Sequence, residues 1–367
     1  MYWASIPTVA FLAFSRDVTN SPTYTKRCSS LSLSSTTTSA NGAPGTSTPE
    51  KYGRLIEWIK SKEGVINEKI EIRPSSRGGG YGAFVTEPIN EGDVLFTVPR
   101  SACLTLEDAT EDPECGEKMK KLIEKAGPGA DTAVMAGYMA KEYLELLEDI
   151  KNDNEKESRW GPYFQTLPWK RGDNEQEHIL FWSEDMIDSL LAGSVCYEEA
   201  NGLTSEVDLA VQVMNQIVGK KIRAARGEEI EEGFSWPWEA KSKEPDEIVE
   251  GFPEAVKGAF VSLLTRSFQD GEGDEEKLVP MLDLLQHSDN PNIRHAMRKA
   301  DGTVEVFARR QIEADEELLN QYRPEEEDTM PYSRFFTRFG FVPGISEPIE
   351  NLLQDKSTIF FPQKAEI

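Results

Sequence analysis

Histidine is nearly absent, with three in 367 residues, at His178, His287 and His295. A histidine-rich metal centre is hard to build from so few. Cysteine is scarce as well. Cys28, Cys103, Cys115 and Cys196 lie far apart with no Cys-x-x-Cys pair, which argues against a cysteine zinc cluster or a disulfide framework. No metal site is therefore expected. Positive charge is in deficit: 40 Lys and Arg face 65 Asp and Glu, for a net charge of −25. Phosphates need a basic face, so a nucleic-acid binder is excluded. No apolar run reaches the roughly 18 residues of a membrane span, which excludes an integral membrane protein.

What remains is a chain long enough for two domains, or for one large domain with an insertion. Its apolar fraction of 38% allows a sizeable core. The first 49 residues differ from the rest. They hold 19 Ser or Thr, three basic residues (Arg16, Lys26, Arg27) and one acid, Asp17. Such a segment cannot bury enough surface to fold. Its hydroxyl-rich, acid-poor bias is that of an organelle transit peptide. The short apolar stretch Ile6–Phe14 before it resembles a signal h-region. A plastid leader is expected for 1–49, with a mitochondrial leader or a plain cytoplasmic tail as alternatives.

Beyond residue 50 the pattern is strand-like, then helical, then strand-like again. Tyr52–Lys62 places Leu55, Ile56 and Ile59 on one helical face, and Gly64 ends it. Ile70–Ile72, Ala83–Val85 and Val94–Val98 read as strands around a Gly-rich turn at 78–82. Helices are expected over Lys118–Lys125, Asp131–Glu148, Ser183–Leu191, Ser205–Arg226 and Glu254–Phe268. Residues 227–250 read as an acidic loop. Strands return at Leu278–Leu284, Thr303–Ala308 and Glu317–Asn320, before a last helix over Tyr332–Arg338. The fold class expected is α+β: a β-rich domain in two parts, 50–105 and 254–345, split by a helical lobe at 106–253, with a tail at 346–367.

Six segments in order carry a resemblance. They are GYGAFVTEPINEGDVLFTVPRSACLT from Gly80, SRWGPYFQTLP from Ser158, HILFWSEDMIDSLLAGS from His178, LLTRSF from Leu263, LVPMLDLLQHSDNPN from Leu278, and DEELLNQY with FTRFGFV near the end. Together they resemble SET-domain protein methyltransferases of the non-histone branch that includes the Rubisco large-subunit lysine methyltransferases. The resemblance covers about 50–345, and most of that family's C-terminal substrate-binding lobe is expected to be missing.

The resemblance implies a protein-lysine N-methyltransferase that uses S-adenosylmethionine (SAM) on a non-histone, plastid protein, acting as a monomer. Histidine as the acceptor, and a catalytically silent module binding SAM or a protein, are the alternatives. It implies Tyr322 as the catalytic hydroxyl. It implies cofactor contacts from Gly79, Gly80, Tyr81, Arg266, Gln286, His287 and Phe339, and substrate contacts from Asp283, Asp270 and Phe336, with Phe341 as a further wall. Read without the family, the same residues have plainer roles. Arg266 caps a helix C-terminus, Asp283 orders a turn, and His287, Tyr322 and the phenylalanines pack in a core. The sequence departs from the pattern at Gln286 (for Asn), at Arg323 (for Gly or Asp), at Phe339 (for Tyr), and by an acidic insertion including Glu325–Asp328. That run is expected at the mouth of the amine channel.

Overall fold

The computed structural model describes residues 48–77, 80–127, 129–152, 158–228, 247–269, 276–322 and 332–342. The leader to residue 47, Gly79, most of the 227–250 loop, Asp270, Arg323, the 325–328 run and the 346–367 tail lie outside the described residues.

Helix α1 (Glu50–Ser61) buries Tyr52, Leu55, Trp58 and Ile59, a stripe at helical spacing that faces the core. Strands β1 (Val65–Ile66), β2 (Ile70–Pro74), β3 (Tyr81–Val85), β4 (Val94–Val98) and β5 (Leu104–Thr105) follow. The chain turns helical at Thr105, whose N–H donates to the Asp108 carboxylate at 3.0 Å in a reciprocal cap. Helices α2 (Leu106–Thr110), α3 (Gly116–Ala126), α4 (Ala130–Lys151), α5 (Gly161–Phe164), α6 (Glu184–Leu191), α7 (Val195–Met214), α8 (Lys220–Ala225) and α9 (Phe252–Arg266) come next. Strands β6 (Ser267–Phe268), β7 (Lys277–Leu278), β8 (Gln286–His287), β9 (Ile293–Met297), β10 (Val304–Ala308) and β11 (Leu319–Asn320) precede α10 (Tyr332–Phe339).

Strands from the two ends of the chain pair with each other. The largest sheet runs β1-β4-β10-β9, all antiparallel, and a second runs β5-β7-β6. β2 and β3 form a hairpin, and β11 lies parallel to β8 with Leu319 opposite Gln286. One main core runs through both the strands and the helical lobe. A smaller cluster of Ile179, Trp182, Ile187, Leu191, Cys196, Ala200 and Phe336 joins the lobe to α10. No helix among the described residues is long and apolar enough to cross a membrane.

Three expectations change. Leu278–Leu284 is strand only at Leu278: Pro280 offers no N–H, Met281 takes a φ of 74°, and Leu282–Leu284 closes a single 3₁₀ turn. The helix expected to run to Phe268 stops at Arg266, and Ser267 and Phe268 pair with β7 instead. The helix expected over 205–226 starts at Val195 and carries a π-turn over Asn215–Gly219. There the Asn215 side chain accepts from the Val249 N–H at 3.0 Å and donates to the Glu247 carbonyl at 3.1 Å. Strand β9 was not anticipated, although its burial alternates along Ile293–Met297.

Candidate active site

The site is built where β3, β8, β11 and the C-termini of α9 and α10 converge. α9 is set by Gly251 in the left-handed conformation and by Pro253 in its first turn. Its last turn delivers Arg266. The Arg266 Nη1 donates to the Asp283 carbonyl at 3.1 Å and lies 3.6 Å from the Asp283 carboxylate. A third partner comes from the helical lobe: the Tyr163 hydroxyl donates to Asp283 Oδ2 at 2.9 Å. Burial pushes the Asp283 carboxyl up, against the pull of Arg266 and Tyr163. Burial works against the Arg266 charge, but Asp283 together with Tyr163, Tyr52 and Tyr322 outweighs it, and the guanidinium is held above its usual range. Tyr163 is raised well above an ordinary tyrosine by burial and then by Asp283, so it stays a donor.

The backbone of β3 is held from both sides. Gly80 has a φ of 91°, which a side chain rarely adopts, and a Cβ there would fall 2.6 Å from the Asn174 carbonyl oxygen. The Gln286 amide donates to the Tyr81 carbonyl at 3.0 Å. Gly82 faces Glu317, whose carboxylate would meet a Cβ at 2.1 Å. Glu317 is buried and accepts from Ser75 Oγ at 2.7 Å and the Ser76 N–H at 3.0 Å. Asn292, fully buried, clamps the segment entering β11: it donates to the Glu317 carbonyl and accepts from the Leu319 N–H, both at 2.7 Å.

The other end of the site is aromatic. The Tyr322 hydroxyl donates to the Leu285 carbonyl at 2.8 Å, and its N–H donates to His287 Nδ1 at 3.2 Å. With Nδ1 as acceptor, the neutral ring carries its proton on Nε2, 3.3 Å from Asp289. Burial pushes the Tyr322 hydroxyl up to about 12, with Arg266 opposing and Asp283 and Glu317 adding to the rise. It is therefore protonated at neutral pH. Ring centroids lie at 5.3 Å for His287–Tyr322, 5.2 Å for Tyr322–Phe339, 5.2 Å for His287–Phe335 and 5.1 Å for Phe335–Phe341.

The structure brings together Tyr81, Gly80, Arg266, Asp283, Gln286, His287, Tyr322 and Phe339 from the expected set. Phe336 stands elsewhere, at 5.9 Å from Trp182 in the lobe-facing cluster, because its helix turns Phe335 rather than Phe336 towards His287. Sequence reasoning did not single out Phe335, Glu317, Asn292 or the role of Tyr163. Only Tyr163 left a signal, as a fixed position of the SRWGPYFQTLP segment.

Residues 80–323, more than half of the chain, match the family model described as SET domain. The chain belongs to the SET-domain family. Its relatives include N-lysine methyltransferase setd6 of Xenopus laevis, 24% identical over 73% of this chain and 53% of that protein. The chloroplastic ribulose-1,5 bisphosphate carboxylase/oxygenase large subunit N-methyltransferase of Pisum sativum is 22% identical over 69% of this chain and 42% of that protein. A solved structure of Rubisco LSMT bound to AdoMet shares the fold, with a TM-score of 0.56 and 16% identity over 83% of this chain and 58% of that one. The chain spans from about a quarter to about half of the length of the curated relatives it matches.

Proposed function

We propose that this chain is a SAM-dependent protein-lysine N-methyltransferase acting on a non-histone protein. The observation that carries the reading is the Tyr322 hydroxyl. It is buried among rings, protonated, and fixed on the Leu285 carbonyl at 2.8 Å beside His287 and Phe339.

The residues present fit the donor. Among the described residues Asp283 is the carboxylate paired with the Arg266 guanidinium, which leaves donors that suit an amino-acid carboxylate. Gly80 brings backbone with no side chain of its own, and Phe339 adds a ring beside Tyr322. When bound, SAM would supply a methyl group carried on a sulfonium sulfur. The protein's own part is to orient and to exclude water. Tyr322 and the Leu285 carbonyl align the incoming amine. The rings of Phe335, Phe339 and Phe341 desolvate it, which favours the neutral form that has a lone pair to donate. Neither metal nor covalent enzyme intermediate is called for by this chemistry.

The hydroxyl-rich composition of 1–49 and the chloroplastic relative support a plastid location and a plastid substrate. The test is mass spectrometry of plastid extract incubated with labelled SAM and the full chain. The expected label sits on a protein lysine and disappears with Tyr322→Phe. Label on a histidine would reassign the acceptor. No label, together with no SAM binding by calorimetry, would leave a silent SET module.

A further inference from the structure

The helical lobe reaches the cofactor end of the site through one tight turn. In it the Asp173 carboxylate accepts from the Trp169 and Lys170 N–H groups at 3.1 Å each. The turn is rooted in the core by Trp169, which stacks on Tyr143 at 3.8 Å and donates its indole N–H to the Phe164 carbonyl at 2.8 Å. It presents Asn174 in a left-handed conformation, φ 53° and ψ 33°. Asn174 is engaged on three sides. Its Nδ2 donates to the Thr166 carbonyl at 2.7 Å. Its carbonyl oxygen stands over Gly80. Its Oδ1 accepts from the Lys51 amine and, at 3.5 Å, from the Tyr52 hydroxyl.

Lys51 is thereby held half-buried over two ring faces, its Nζ 5.0 Å from the Tyr52 centroid and 5.7 Å from the Tyr81 centroid. Burial lowers the pKa of this amine, and the nearby Arg266 guanidinium lowers it further. Arg266 has Asp283 as its close counter-ion, whereas the group in hydrogen-bond contact with the Lys51 amine is the neutral Asn174 amide, and the Asp173 carboxylate of the same turn offsets its charge only in part. The two like charges repel each other, which is why Arg266 lowers the Lys51 pKa. That arrangement becomes favourable when an anion enters between them.

We infer that Asn174 is a positioning residue: it fixes the Lys51 amine beside Arg266 so that the two cations seat the carboxylate of the donor's amino-acid end. The inference rests on the SAM reading above, and makes the lobe part of the cofactor site. Asn174 acts through Lys51 and touches neither the methyl group nor the acceptor.

Calorimetry on the full chain, with SAM and with decarboxylated SAM, tests it. Asn174→Gly keeps the left-handed backbone and removes only the side chain. It is expected to weaken SAM binding about tenfold, while decarboxylated SAM binds within about twofold of the unmutated chain, because one charge-assisted contact is lost in the first case alone. Lys51→Gln is expected to do the same. The double variant should be no weaker than Lys51→Gln, since the two residues act in one chain of contacts. Saturating SAM should restore turnover in both. Unchanged SAM affinity in Asn174→Gly and Lys51→Gln overturns the inference. Equal losses for SAM and its decarboxylated analogue overturn it too, since a merely structural role would weaken both. Failure of the unmutated chain to bind SAM removes the functional reading itself, a result distinct from either.

Discussion

The two ends of the candidate site solve opposite problems within one cleft. The end at Arg266 buries charge and balances it: Asp283 stands between the guanidinium and the Tyr163 hydroxyl. The end at Tyr322 buries rings and admits polar atoms only where a carbonyl or an imidazole meets them. Charges in low dielectric are held by partners, and losing one partner strands the other. Rings are held by packing, and losing one hydroxyl leaves the packing in place. The first end should therefore fail by losing stability or affinity, and the second by losing turnover.

Asp283→Ala is the severest way to break this contrast. It strands Arg266 and the Tyr163 hydroxyl together, and should cost about 3–5 kcal/mol of stability. Denaturant unfolding of the purified chain measures it. A loss below about 1 kcal/mol would show that the charged end is wet rather than desolvated.

Acid should act next, and behind the aromatic end. His178 is fully buried, accepts from the Leu180 N–H at 3.1 Å and donates from Nε2 to the Arg338 carbonyl at 3.1 Å. Burial lowers its pKa to about 4, against two backbone hydrogen bonds that favour the charged form. The unfolded chain binds this proton near pH 6.5 and the folded chain only near pH 4. Stability should therefore fall as pH drops through that window, by about 3 kcal/mol from this group. A His178→Gln variant, which cannot take up the proton, should show a flatter profile. Equal slopes for the two chains between pH 6.5 and 4 would remove His178 as the cause.

Tyr322→Phe should lower methyl transfer by about 100-fold or more, within the range for a positioned proton-bearing group, with SAM affinity nearly intact. A fully active variant would end the catalytic assignment. Arg266→Ala, the mirror experiment, should weaken SAM binding by about 1.5–3 kcal/mol, the range for a charge-assisted bond. Reversal of these two outcomes would mean that the ends of the cleft had been assigned the wrong way round.

The aromatic end was the more legible from sequence. Gln286, His287 and Tyr322 sit in short runs whose order and spacing are informative in themselves, and parallel pairing of β8 with β11 then brings the runs together. The charged end depends on distance in the chain. Tyr163 is 120 residues from Asp283, and Lys51 is 123 from Asn174. No local pattern links such pairs; they exist only because α4 and α9 dock the lobe against the strands. Periodicity also misjudged residues 278–284. A largely apolar run reads as a buried strand, yet Pro280 and the left-handed Met281 make it a turn. Phe335 and Phe336 show the limit at single-residue scale: adjacent, identical and both buried, they face different clusters.

The hydrogen bond from Gln286 to the Tyr81 carbonyl spans 205 residues. During synthesis at about 5–20 residues per second, the β2–β3 hairpin emerges roughly 10–40 s before that partner. Over that interval β3 lacks the backbone partners that Glu316 and Leu318 later give Val85 and Ala83. The order of translation thus leaves the early hairpin with unpaired backbone until the later segment is made. A codon change that slows the stretch between residues 85 and 286 lengthens this exposure without altering a single side chain.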